Sequence, residues 1–110
     1  MTAARVYRLI ARADWDAARA VGAGATLPWN DDDRRDGFFH LSARDQIAET
    51  ARRHYAGVED LWVLELDTAA LGERLRWEPS RGGALFPHCH GAAPVAAVTD
   101  AHPFDAGERA

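Results

Sequence analysis

Three short stretches hold the residue types that do chemistry. The first is Gly37-Phe38-Phe39-His40-Leu41-Ser42, which reads as a strand running into a helix. Alternation places His40 and Ser42 on one face of that strand. Ser42, with Asp45 three residues on, is a close relative of a capping box. The free N–H groups and dipole at such a helix start suit an anion, and a neighbouring imidazole suits a sugar hydroxyl or an oxyanion. The same pattern also serves plain structure, with Ser42 as an ordinary N-cap and His40 as a satisfied core residue. No glycine fingerprint of a phosphate loop or a dinucleotide fold accompanies it.

The second stretch is Trp77-Glu78-Pro79-Ser80-Arg81-Gly82-Gly83. A carboxylate on a short strand ahead of a glycine-rich loop is held in place while the loop approaches a ligand, and Arg81 suits a phosphate. Glu78 serves equally as an exposed residue paired with Arg76 or Arg81. The third is His88-Cys89-His90. If extended, it presents both imidazoles on one side, and with His40 or Glu78 they make a reasonable Zn or Fe ligand set. Against this, Pro87 lacks the N–H of a central strand. Residues 86–91 therefore read as a shaped loop in which the imidazoles need not converge, and no resident metal is expected. Cys89 as a nucleophile lacks an Asn or Asp to orient its base.

These residues need a scaffold, and periodicity outlines one. Residues 6–11 read as a first strand, followed by a helix over 14–21 capped by Asp14 and stopped at Gly22. Residues 22–36, with Pro28, Asn30 and the charged run Asp31-Asp32-Asp33-Arg34-Arg35-Asp36, show no periodicity and read as a long loop. After the strand at 37–42 comes the main helix, with Ile47, Ala51, His54 and Tyr55 at helical spacing up to Gly57. Residues 61–67 are almost continuously apolar and predict a central strand. Thr68 is expected to cap a helical turn through residue 75. Residues 76–78 form a short strand ended by Pro79, residues 95–99 a last strand, and residues 107–110 a frayed tail. The sum is a small α+β domain whose sheet is mostly antiparallel or mixed, with one main helix.

Composition sets the outer bounds. At 110 residues, with 47% apolar and 27% charged residues, the chain forms one domain with a real core. A net charge of -4 excludes duplex nucleic acid as the primary partner. All thirteen basic residues are Arg, so lysine chemistry is excluded. A single cysteine makes no internal disulfide. No run approaches a membrane span and residues 1–10 lack the apolar core of a signal peptide, so a cytoplasmic protein is expected.

The segments Asp36-Gly37-Phe38-Phe39-His40-Leu41-Ser42, Gln46-Ile47-Ala48-Glu49-Thr50, Trp77-Glu78-Pro79-Ser80 and Phe86-Pro87-His88 through Gly91 occur in that order. Together they resemble the small bacterial family called domain of unknown function 952, across most of the chain. The resemblance implies an ADP-ribosyltransferase-like fold, a split sheet that in better-known relatives grips NAD. It further implies an enzyme using NAD or a related phosphorylated nucleotide as substrate, with no prosthetic group, that cleaves or transfers at the ribose carbon.

On that reading Glu78 stabilises an oxocarbenium-like state and His40 holds the ribose, with His88 as a further catalytic group. Ser42 and one of Arg8 or Arg81 receive the pyrophosphate, and Gly91 lies against the ligand. Where the family has F-P-H-L-Y-G, this chain has Phe86-Pro87-His88-Cys89-His90-Gly91. An imidazole replaces a phenol, and His90 is expected to contact substrate. Two alternatives stay open: a metal-dependent hydrolase, lyase or isomerase built on His88 and His90, and a nucleotide-binding module without catalysis.

Overall fold

The apolar run expected to be central is central. In the computed structural model, which describes residues 4–105 and of Arg81 the backbone alone, it pairs on both sides. The elements in chain order are β1 (Arg5–Ala11), α1 (Arg12–Val21), α2 (Asp31–Asp36), β2 (Phe39–His40), α3 (Ile47–His54), β3 (Leu61–Asp67), α4 (Thr68–Leu71), β4 (Leu75–Ser80), β5 (Ala84–Cys89) and β6 (Val98–Pro103). They build two three-stranded sheets, ordered β1-β3-β6 and β2-β5-β4, and every strand pairing within them is antiparallel. The tail expected at 107–110 lies outside the described residues.

The core lies between the sheets. Val6 and Ile10 of β1, Leu64 and Leu66 of β3, and Phe39 and Cys89 of the second sheet pack with Trp15 and Ala18 of α1. On the other face of the first sheet, Tyr7, Leu9 and Val63 meet Ile47 and Ala51 of α3. Among the described residues the two sheets share one backbone seam, where Tyr7 N–H donates to Ser42 O at 2.9 Å and Ser42 N–H to Tyr7 O at 2.8 Å.

Several sequence expectations are corrected. The long loop contains a helix, α2, closed by a reciprocal capping box between Asn30 and Asp33 and ended by Gly37 at φ 84°, a left-handed position that favours glycine. Residues 86–89 belong to regular β5, the middle strand of its sheet. Pro87 is tolerated because only its carbonyl is needed on the side of β2: the register places Leu41 beside it, one residue past the end of β2, and Leu41 N–H donates to Pro87 O at 3.1 Å. Pro79 lies within β4, an edge strand, where a missing N–H costs little. Asp14 sits in the first turn of α1 without capping it, and Asp67, not Thr68, caps α4 through Ala69 N–H. The last strand begins at Val98, after a 3₁₀ turn over Val95–Ala97. At ten residues α1 exceeds the eight of α3, so there is no single main helix.

Candidate functional site

The register of the second sheet assembles the chemistry. His40 on β2 pairs with His88 on β5, while Glu78 on β4 pairs with Phe86. Paired residues share a face, so His40, His88 and Glu78 stand together with Glu78 diagonal to His88, within reach of a long side chain. The alternate residues Phe39, Cys89, Leu75 and Trp77 point to the core. His90 continues the His88 side. Both imidazoles converge on one oxygen: His88 Nδ1 and His90 Nε2 each lie 2.8 Å from Glu78 Oε1. The expectation that these two rings need not converge was wrong, because it rested on a loop where there is a strand. Phe38 covers the cluster, stacked on His88 at 4.0 Å and tilted against His40 and His90.

Helix α2 supplies a second carboxylate. Asp33 is fully buried and its oxygens meet Arg8 Nη1 at 3.1 Å and Nη2 at 2.7 Å, the His40 backbone N–H at 2.9 Å, His40 Nδ1 at 2.7 Å and the Asn30 backbone N–H at 2.9 Å. Burial works to raise its pKa, yet the hydrogen bonds from His40 and Arg8 and the charge of Arg8 outweigh it and hold the carboxyl below the usual range. The other ring nitrogen of His40 lies 2.9 Å from Asp36 Oδ2. Both nitrogens of His40 are thus taken by carboxylates, and the ring positions Asp36.

Of these groups His40, His88 and Asp36 border a cavity of about 160 Å³, whose wall also includes Tyr7 and Leu9 of β1, Thr50 and Tyr55. A cavity on the order of 150 Å³ takes one six-membered ring. Around it, the hydrogen bond from Arg35, then that from His40, hold Asp36 down at about 2. Glu78 is held below its ordinary value by the hydrogen bonds from His90 and then His88. As an ionised carboxylate it only accepts, so Nδ1 of His88 carries the proton. Burial pushes the His88 pKa down against the pull of Glu78. The ring is therefore neutral at pH 7, with Nε2 unprotonated.

Other predicted residues are placed differently. Ser42 caps no helix: the 3₁₀ turn Arg44–Gln46 begins two residues later, Ser42 N–H is spent on Tyr7, and its hydroxyl lies 3.2 Å from that of Thr50. Ala43 N–H is taken by Gln46 Oε1 at 2.9 Å. The anion site expected there loses these amides. Arg8 is buried and committed to Asp33, with its guanidinium 4.0 Å above the Phe39 ring, so it is not a pyrophosphate ligand. The Arg81 side chain lies outside what is described. Gly91 faces Arg74, whose Cδ would stand 3.0 Å from any Cβ added there. Burial pushes the Cys89 thiol up, the opposite of a nucleophile. Sequence reasoning missed Asp33, Asp36 and Asn30. The signal for them was the Asn30-x-x-Asp33 spacing, a capping box of N-cap and N3 carboxylate.

With fold and site in view, comparison with known proteins defines the class. Residues 9–101 match the family described as "Protein of unknown function (DUF952)", and the chain belongs to it. Among solved structures, it is similar to the crystal structure of protein CC0527 from Caulobacter crescentus, at 42% identity and a TM-score of 0.81, with 92% of this chain and 86% of that one covered. The solution NMR structure of CC0527 is 39% identical with a TM-score of 0.76, covering 97% of this chain and 91% of that one. No curated protein matches.

Proposed function

We propose that the protein is an enzyme acting at the ribose carbon of NAD or a related nucleotide, breaking the N-glycosidic bond or transferring the ribosyl group, on an ADP-ribosyltransferase-like fold. One observation carries the reading: the His88 imidazole, held by the Glu78 carboxylate, borders a cavity with room for one ring whose wall also carries the Asp36 carboxylate. Two separate antiparallel sheets flanking a cleft agree with the split-sheet expectation.

Cleaving an N-glycosidic bond builds positive charge on the ribosyl ring, and fixed negative groups stabilise that charge more in the transition state than in the ground state. Asp36, held by His40 and Arg35, and Glu78, behind His88, supply them. Nε2 of His88 accepts the proton of the attacking water or hydroxyl, and Glu78 steadies the imidazolium that forms. The cavity, with Asp32 and Asp36 on its wall beside Arg35 and His40, suits the ring end of the substrate. Its size encloses only that end, and the phosphates lie outside it. His90, partly exposed on the other side of Glu78, contacts what projects beyond the cavity.

The test is incubation of the purified protein with NAD and with nicotinamide mononucleotide, followed by assay of free nicotinamide. Release is expected, and Glu78→Gln should fold normally yet slow it by about a hundred- to a thousand-fold, the typical cost of one preorganised electrostatic partner. No release from either compound, or an undiminished rate in Glu78→Gln, overturns the reading.

A further inference from the structure

We propose that Glu78, His88 and His90 together bind one divalent transition-metal ion of the Zn²⁺ type. Glu78 Oε1, His88 Nδ1 and His90 Nε2 all lie within 4.8 Å of one another. Two imidazole nitrogens and one carboxylate oxygen are a ligand set that such ions favour, with a fourth position left to water.

The distances fit. Metal–ligand bonds of about 2.0–2.1 Å in a tetrahedron put neighbouring donor atoms roughly 3.3–3.4 Å apart. The two observed nitrogen–oxygen separations are 2.8 Å, so each pair opens by about half an ångström to admit the ion. That opening is a movement of the Glu78 side chain, and the third pair, the two imidazole nitrogens, lies within 4.8 Å. The donors are also prepositioned. Glu78 and His88 sit on hydrogen-bonded neighbours β4 and β5, His88 is wedged under Phe38 at 4.0 Å, and the backbone of His90 is tied by its N–H to Arg74 O at 2.7 Å. An entry path exists, because the side chains of His90 and Glu78 remain 31% and 34% exposed. His40 stands outside the set, since Asp33 and Asp36 occupy both its nitrogens.

A metal at His88 Nδ1 takes the place of the proton that the ribosyl reading puts there, so the two readings call on the same side chains in different states; the test of this one has no activity readout. Tag-free protein, stripped with a chelator, is titrated with Zn²⁺ by calorimetry, and with Co²⁺ while its visible absorption is followed. One saturable equivalent is expected, with the Co²⁺ spectrum of a low-coordinate site. His90→Ala should weaken binding by more than about 100-fold, beyond what is lost when a residue merely orients a ligand, while His102→Ala, on β6, should leave it unchanged. If His90→Ala fails to fold by circular dichroism, Glu78→Gln is judged by the same criterion. The absence of a saturable equivalent, or full binding in whichever of these variants folds, overturns the proposal.

Discussion

At the scale of single residues, Asp33 carries more of the structure than any group expected to do chemistry. Its carboxylate faces a guanidinium, a ring nitrogen and two backbone N–H groups in a place that water does not reach. Removing one partner of a buried ion pair typically costs about 3–5 kcal/mol, because the other charge is left unpaired. Asp33→Asn should therefore lower the unfolding free energy by about that much in urea titrations. Asp36→Asn, whose partners are solvent-exposed or shared, should cost much less, because solvent screens the pair. Equal losses in the two variants would mean that the buried pair contributes nothing special. The types of Glu78, His40 and His88 were legible as chemistry from sequence. Their roles were not, because each depends on its partner: His40 is saturated by two aspartates 7 and 4 residues earlier, and His88 meets Glu78 only through a diagonal register that no single segment encodes.

At the scale of elements, α2 shows which signals a sequence hides. Its six residues, Asp-Asp-Asp-Arg-Arg-Asp, contain no apolar position, so hydrophobic periodicity could not find it. What it buries is one carboxylate. By contrast β3 was plain, since both its faces are covered and the apolar run is nearly unbroken. Strand β5 was concealed by Pro87, which reads as a break until the early end of β2 is known. Asn30 holds α2 in place, its Oδ1 accepting from Asp33 N–H at 2.9 Å and its Nδ2 donating to Tyr55 Oη at 3.2 Å. Asn30→Ala should destabilise the protein by about 0.5–2 kcal/mol, and Asn30→Ser, which restores a cap, should recover most of that loss. Thermal unfolding of the two variants checks this, and an Asn30→Ser as unstable as Asn30→Ala would shift the weight from the cap to the Tyr55 contact.

At the scale of the whole molecule, the depressed carboxylates set the response to acid. A carboxyl whose folded pKa lies below its unfolded value stabilises the fold fully above the unfolded value, about 3.9 for Asp. That contribution is lost as pH falls through the folded value. Asp33, buried and paired, dominates. Asp36 and Glu49 are held down at about 2 by arginine partners and act with the same sign, but solvent screens them. Urea midpoints should dip modestly as pH falls through about 6.5, where the unfolded chain protonates a His88 ring that burial keeps neutral in the fold, and fall more steeply below about pH 4, where the fall should be shallower in Asp33→Asn. A wild-type protein that loses stability mainly between pH 7 and pH 5 would contradict this.

The seam between Tyr7 and Ser42 gives the molecule the mechanics of a pair of jaws. Among the described residues the two sheets are stitched through backbone at that point alone, by two hydrogen bonds, and the cavity opens beside the stitch with Tyr7 and Leu9 on one jaw and His40 and His88 on the other. The gape of the cavity is then governed by the apolar wedge behind it, where Phe39 and Cys89 meet Val6 and Ile10. A change of side-chain volume in that wedge would thus alter the width of the cavity without altering any residue of its lining.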